Sequence, residues 1–143
     1  MARIKIDLPA SFSFSTLFDV RITDLNYGAH VGNDKILSFI HEARVKYLSS
    51  LQYTELNVEG VSMIMADAAL IFKNEIYYGD SLLISLQPVE FSRVGFDLIY
   101  KIEKKQADQL QVAALAKTAM VCFNYDLKKV VGLPEVAKNK LSR

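Results

Sequence analysis

The sequence predicts an α+β protein in which a curved antiparallel β-sheet wraps around one long central α-helix. Three observations carry this reading. One amphipathic run, Asn33 to Leu51, repeats its apolar residues at helical spacing. One strand-like stretch precedes that run, and four or five follow it, separated by short turns. Strands in such a series pair antiparallel, and a single apolar helix finds its only large partner in the sheet face.

The elements follow in order. Residues 1–11 read as an irregular lead-in, with Pro9 marking a break. Phe12 to Ile22 is strand-like, with clean alternation only from Phe18 onward. Residues 23–32 form a polar loop. Asn33 is the expected N-cap of the helix, and Asp34 in its first turn suits the positive helix end. Ile36, Leu37, Ile40, Ala43, Tyr47, Leu48 and Leu51 make its apolar stripe. After a polar turn to Gly60, strands are expected over Val61 to Ile76, Leu82 to Phe91, Phe96 to Ile102 and Leu110 to Tyr125. Pro88 implies a bulge or an edge position in the second of these. Lys104 to Asp108 reads as a charged turn, and Leu133-Pro134 opens a short terminal helix.

Composition bounds the function. The chain has 143 residues, 51% of them hydrophobic and 23% charged, which fits one folded domain, 1–143. A net charge of +1 offers no footprint for nucleic acid. A single cysteine, Cys122, excludes an internal disulfide framework and suits a reducing compartment. No stretch has the length of a membrane span, and the first residues lack the apolar core of a signal peptide. A cytoplasmic protein is expected. No second helical layer covers the sheet, so a homodimer or homotetramer is expected as well.

The densest chemistry lies between Arg21 and Asn33. Asp24, Asn26, His30 and Asn33 fall within ten residues, with Gly28 and Gly32 between them. The motifs here resemble the 4-hydroxybenzoyl-CoA thioesterase family of hotdog-fold acyl-CoA thioesterases. That family carries Arg-x-x-Asp-x-Asp, then Gly-His-Val-Asn-Asn, then a helix with a glutamate and Ala-Arg. The matching positions read Arg21-Ile22-Thr23-Asp24-Leu25-Asn26, Ala29-His30-Val31-Gly32-Asn33 and Glu42-Ala43-Arg44. Gly79-Asp80 and Leu133-Pro134 match two later motifs, so the resemblance runs through nearly the whole chain.

The resemblance implies a hotdog fold and hydrolysis of a fatty-acyl or related thioester carried on coenzyme A or an acyl-carrier protein. No cofactor is implied beyond the coenzyme A of the substrate. One departure stands out. The family's catalytic aspartate is Asn26 here, and an amide can neither take a proton nor form an anhydride. Milder departures are Ala29 for glycine and Gly32 for asparagine.

Catalytic candidates are therefore Asn26, His30 and Asp24, and substrate-binding candidates are Ala29, Val31, Asn33 and Glu42. His30 is of the residue type best suited to act as a base or donor at physiological pH. Asp24, two residues from Asn26 on a strand end, is expected on the same side, where it either replaces the missing carboxylate or braces the loop. A brace is favoured. Glu42 is expected to pair with Lys46. Asp67 is expected in an exposed turn, although a reach into the site across a subunit interface is the other reading. His41 is expected on a surface or groove wall and Cys122 in the core. Phe39, Met63, Met65 and Phe72 are either acyl-groove lining or core. Arg93, Lys73 and Lys128 are the candidate cations for coenzyme A. Positions 30 and 41 do not have metal-ligand spacing, so no metal is expected.

Two rivals share the fold. The (R)-specific enoyl-CoA hydratases carry Asp-x-Asn-Pro-x-His, which Asp24-Leu25-Asn26 begins, but Tyr27 replaces the proline and His30 lies one residue too far. A non-catalytic acyl-thioester binding protein is the other, and Asn26 is its best support.

Overall fold

Alternating side chains decide which face of each strand is buried. In the computed structural model, which describes residues 1–143, β1 (Phe14–Asp19), α1 (Asn33–Ser50), β2 (Ser62–Phe72), β3 (Ser81–Val89), β4 (Gly95–Gln106), β5 (Gln109–Asn124), β6 (Lys129–Val130) and α2 (Glu135–Leu141) follow in order. The sheet order is β1-β3-β4-β5-β2, every pairing is antiparallel, and β6 extends β5. This is the hotdog architecture. Leu82, Ile84 and Leu86 of β3, Leu98, Tyr100 and Ile102 of β4, and Ala114, Ala116, Met120 and Cys122 of β5 share the inner face.

Against that face α1 buries Ile36, Phe39, Ile40, Ala43, Tyr47 and Leu48. Two aromatic pairs fasten the helix to β1: Phe18 with Phe39, ring centroids 4.6 Å apart, and Phe14 with Tyr47 at 5.5 Å. The helix also carries a cation inward. Arg44 Nη1 donates to Tyr100 Oη at 3.1 Å, and its Nε donates to Glu55 Oε2 at 3.1 Å. Tyr100 Oη lies 2.8 Å from Thr118 Oγ1 on β5. A buried charge stays charged only when paired and hydrogen-bonded, and this one is both. Burial disfavours the guanidinium, but Tyr100 and Glu55 outweigh it and raise the Arg44 pKa.

Several sequence expectations change in detail. The first strand ends at Asp19, and Ile22–Asp24 is a turn of 3₁₀ helix. Asp24 is therefore not on a strand end with Asn26, because the chain coils before the loop begins. Gly32, not Asn33, is the N-cap of α1. Leu37 is exposed, since the helix packs through Phe39 and Arg44 instead. Asp67 lies in β2 after a bulge, not in a turn, and pairs with Lys117 at 2.8 Å. β4 runs on through Gln106, turning Lys104 inward. Pro88 sits beyond the reach of β1, whose pairing stops at Phe14 with Leu86, so β3 is locally an edge there. Gly95 is obligatory at the start of β4: a Cβ there would lie 2.0 Å from the Met120 carbonyl oxygen. Phe39 and Met63 are core, Met65 and Phe72 are exposed, and Cys122 is buried as expected. Burial pushes its thiol up to about 11.

Candidate functional site

The polar loop is held at both ends before it reaches the helix. Asp24 is only 2% exposed and is enclosed by Arg21. Its Oδ2 accepts from the Arg21 backbone N–H at 2.8 Å and from Nε at 3.3 Å, and Oδ1 accepts from Nη2 at 3.2 Å. The Asp24 carbonyl accepts the Gly32 amide at 3.3 Å, joining the entrance of the loop to the helix cap. Leu25 and Val31 form a short antiparallel bridge. Val31, buried, donates to the Ile76 carbonyl at 2.7 Å, which stitches the loop to the segment after β2.

Between these anchors the chain makes a tight turn. Asn26 N–H donates to the His30 carbonyl at 2.8 Å, and Ala29 N–H donates to the Asn26 carbonyl at 3.1 Å. The Asn26 Oδ1 accepts from Gly28 N–H at 2.8 Å, an Asx turn. That leaves Nδ2 of Asn26 as a free donor on an exposed side chain. Ala29 has φ of +64°, the left-handed conformation that glycine adopts without strain. The glycine of the family motif at this position has its physical reason here.

His30 Nδ1 lies 3.1 Å from the Val31 carbonyl oxygen. A carbonyl only accepts, so Nδ1 carries the proton and neutral His30 offers a lone pair on Nε2. His30 lines a cleft of about 330 Å³ with Val31, Asn33, Ile36, Phe72, Lys73, Asn74, Glu75, Ile76 and Ala113. α1 begins at its wall. The Asn33 and Asp34 amides, in the first turn, have no acceptor within the chain. Unpaired N–H groups at a helix start are oriented donors for a developing negative charge.

The candidates thus separate by place. His30, Val31 and Asn33 share the cleft, Asn26 and Ala29 form the turn behind His30, and Asp24 sits beneath it. Glu42 lies on the outer side of α1, 4.0 Å from Lys46. His41 Nε2 meets Glu55 Oε1 at 2.7 Å, so it joins the Arg44 cluster. Asp67 and Cys122 are elsewhere in the sheet. Among the cations, Lys73 lines the cleft. Arg93, before β4, and Lys128, before β6, lie near the opposite end of β5, because Gly95 pairs with Val121 and Val130 with Phe123 while Phe72 pairs with Ala114.

Sequence reasoning missed the far wall of the cleft. Asn74, Glu75 and Ile76 read as the end of a strand, but β2 stops at Phe72 and they continue as an ordered loop. Asn74 Nδ2 donates to the Val112 carbonyl at 2.7 Å, and Lys104 Nζ donates to the Glu75 carbonyl. Lys104 also lies 3.8 Å from Asp80. The inward lysine was the available signal: its parity along β4 matches that of Tyr100 and Ile102.

An antiparallel sheet around one helix, with a braced polar loop feeding the helix start, defines a hotdog protein of the thioesterase type. The chain belongs to the thioesterase-like superfamily, whose family model matches residues 20–141. It is 27% identical over 129 residues to 1,4-dihydroxy-2-naphthoyl-CoA hydrolase of Nostoc punctiforme, covering 86% of this chain and 82% of that protein. A 1,4-dihydroxy-2-naphthoyl-CoA thioesterase from Synechocystis superposes with a TM-score of 0.78 at 26% identity, covering 90% of this chain and 94% of that one. A thioesterase-superfamily protein from Jannaschia sp. superposes with a TM-score of 0.82, covering 93% and 83%. Its identity is 17%, and that likeness speaks for the fold.

Proposed function

We propose that this protein hydrolyses coenzyme A thioesters of compact, aromatic acyl groups at the cleft beside His30. The observation that carries the reading is that His30 and Asn33, the first residue of α1, line one cleft, next to the turn that holds Asn26. The thioester carbonyl oxygen accepts from the helix-start amides. His30 Nε2 takes a proton from water as the water oxygen bonds to the carbonyl carbon. The oxyanion that forms is held by the same amides, which act on charge that develops only in the transition state. As the carbonyl reforms, the C–S bond breaks and the thiolate of coenzyme A leaves with the proton from His30. Asn26 holds the water through Nδ2, and Asp24 braces the loop without touching substrate.

Two supports favour an aryl group over a long alkyl chain. The cleft is small, and five of its ten lining residues are polar. The two relatives of highest identity given above act on a dihydroxynaphthoyl thioester. Lys73 at the cleft offers a cation to the phosphates of coenzyme A. The free outer edge of β2, with Met65 exposed on that strand and Leu37 and Val45 exposed on α1, suits a second copy of the chain. A coenzyme A substrate and one buried free cysteine suit the cytoplasm.

A second reading has its own observation. Asn26 Oδ1 is already committed to Gly28, so this position holds no base, and a protein that binds a thioester without cleaving it would show this arrangement. Thiol release across benzoyl-, hydroxybenzoyl-, naphthoyl-, acetyl- and palmitoyl-CoA separates the two. Turnover of aryl esters that disappears in His30→Gln supports hydrolysis. Silence toward the whole panel, with saturable binding, sinks hydrolysis and supports the binding protein. Crotonyl-CoA hydration is the remaining control for the hydratase.

A further inference from the structure

The backbone does not require glycine at position 32. As the N-cap of α1, Gly32 lies at φ −67° and ψ 145°, an extended conformation open to any residue. What excludes a side chain there is Asp34. A Cβ on Gly32 would lie 2.5 Å from Asp34 Oδ1 and 3.6 Å from Asp34 Cγ. The carboxylate has folded back from the first helical turn over the N-cap. The same Cβ would lie 3.6 Å from Asn26 Cβ, so the carboxylate and the Asn26 side chain border one small space. On the other flank of Asn26, a Cβ on Gly28 would lie 3.2 Å from Asn26 Oδ1 and 3.3 Å from His30 Nε2. Asn26 thus stands with His30 on its Gly28 side and Asp34 on its Gly32 side. Two of the three places where the loop departs from the family motif, Asn26 and Gly32, border this carboxylate.

Of the carboxylates around the loop and its cleft, this one is uncommitted. Asp24 is buried and takes three bonds from Arg21. Glu75, on the far wall of the cleft, accepts from the Tyr77 hydroxyl. Asp34 is exposed and has no ion-pair partner in the chain. It shares a groove along α1 with His41 and Arg44, but both of those are bonded to Glu55. The positive end of α1 supports the charge where it stands.

We propose that Asp34 is a further catalytic residue, its carboxylate accepting one hydrogen of the attacking water beside Asn26. This rests on the hydrolysis reading. The first hydrogen of the water passes to His30 Nε2, and the second bonds to Asp34. One lone pair accepts from Asn26 Nδ2, and the other forms the bond to the carbonyl carbon. Asp34 ends the step ionised, as it began, so the proton balance given above is unchanged. Its negative charge also favours the imidazolium that forms on His30.

The test is a double-mutant cycle on thiol release from the aryl-CoA that the natural chain cleaves fastest, with Asp34→Ala, Gly32→Ala and the two together. Asp34→Ala is expected to lower kcat about 10²-fold with KM within about twofold of the natural value, because the water loses a partner and the thioester does not. Gly32→Ala keeps the charge but displaces the carboxylate, and kcat is expected to fall about tenfold. The double variant is expected to fall no further than Asp34→Ala, since a methyl at position 32 then meets no carboxylate. A carboxylate that only complements the helix dipole would leave kcat where it was. An unchanged kcat in either single variant, with the natural chain active, overturns the proposal and leaves hydrolysis standing. Losses that multiply in the double variant overturn it as well, because the methyl then acts through the loop. Thermal unfolding shows which chains are folded; if Asp34→Ala is not, Gly32→Ala decides. Silence of the natural chain toward every thioester removes the hydrolysis reading and this one together.

Discussion

Replacing Asn26 with aspartate tests the centre of the functional reading. The side chain is exposed and its Oδ1 accepts the Gly28 amide at 2.8 Å, a bond that a carboxylate oxygen accepts at least as well. The second oxygen takes the place of the free Nδ2. The exchange therefore leaves the turn intact and converts a donor into a base beside His30. Exposure means little desolvation, so stability is expected to stay within about 0.5 kcal/mol of the natural protein. A positioned general base contributes about 10²- to 10⁴-fold, or roughly 3–5 kcal/mol of barrier. Because His30 already supplies part of this, the expected gain in kcat for an aryl-CoA is near the lower end, about 10²-fold. Stopped thiol-release assays under saturating substrate, with thermal unfolding alongside, measure both. A folded Asn26→Asp protein whose kcat is unchanged or lower would refute the placement of Asn26 against the reacting water.

Other perturbations follow from the same geometry. His30→Gln keeps a hydrogen-bonding side chain and removes the base; kcat is expected to fall about 10²-fold or more with KM little changed. Ala29→Gly relieves the left-handed backbone but loosens the unfolded chain, so a net gain of about 0.5 kcal/mol in chemical denaturation is expected, with activity retained. Arg44→Ala strips a buried donor from Tyr100 and an ion partner from Glu55, and the loss is expected to be about 3 kcal/mol by urea titration. Cys122 favours its neutral thiol in the fold, with a pKa raised by burial from 9.0 to about 11. The folded chain then holds that proton more tightly than the unfolded one. Its contribution is complete below pH 9 and declines as pH rises from 9 to 11, so unfolding midpoints are expected to fall across that window less steeply in Cys122→Ala. At pH 8 the native thiol is expected to resist alkylation that the unfolded chain accepts.

The architecture was legible because periodicity and burial are local consequences of the same alternation. Helical spacing from Ile36 to Leu48 and two-residue alternation from Phe96 to Ile102 each mark one face for the core, and the strand series leaves the helix a single partner. The polar loop was legible too, since Asp24, Asn26, His30 and Asn33 crowd one short segment and the glycine spacing marks turns. Their roles were harder to read. Asp24 looked like a strand residue until the 3₁₀ turn placed it against Arg21, and a three-residue hydrogen-bonded turn leaves little trace in an apolar pattern.

By itself, then, the sequence determined the element order, the antiparallel sheet around α1 and the family. Only tertiary structure decided which side chains meet. Val31 and Ile76 are joined by a backbone bond across forty-five positions, and Arg44 finds Tyr100 and Glu55 through the packing of helix, loop and sheet. The wall of the cleft from Lys73 to Ile76 arises in the same way. Such contacts depend on register and on close packing between distant segments, and neither is encoded in the period of any one of them.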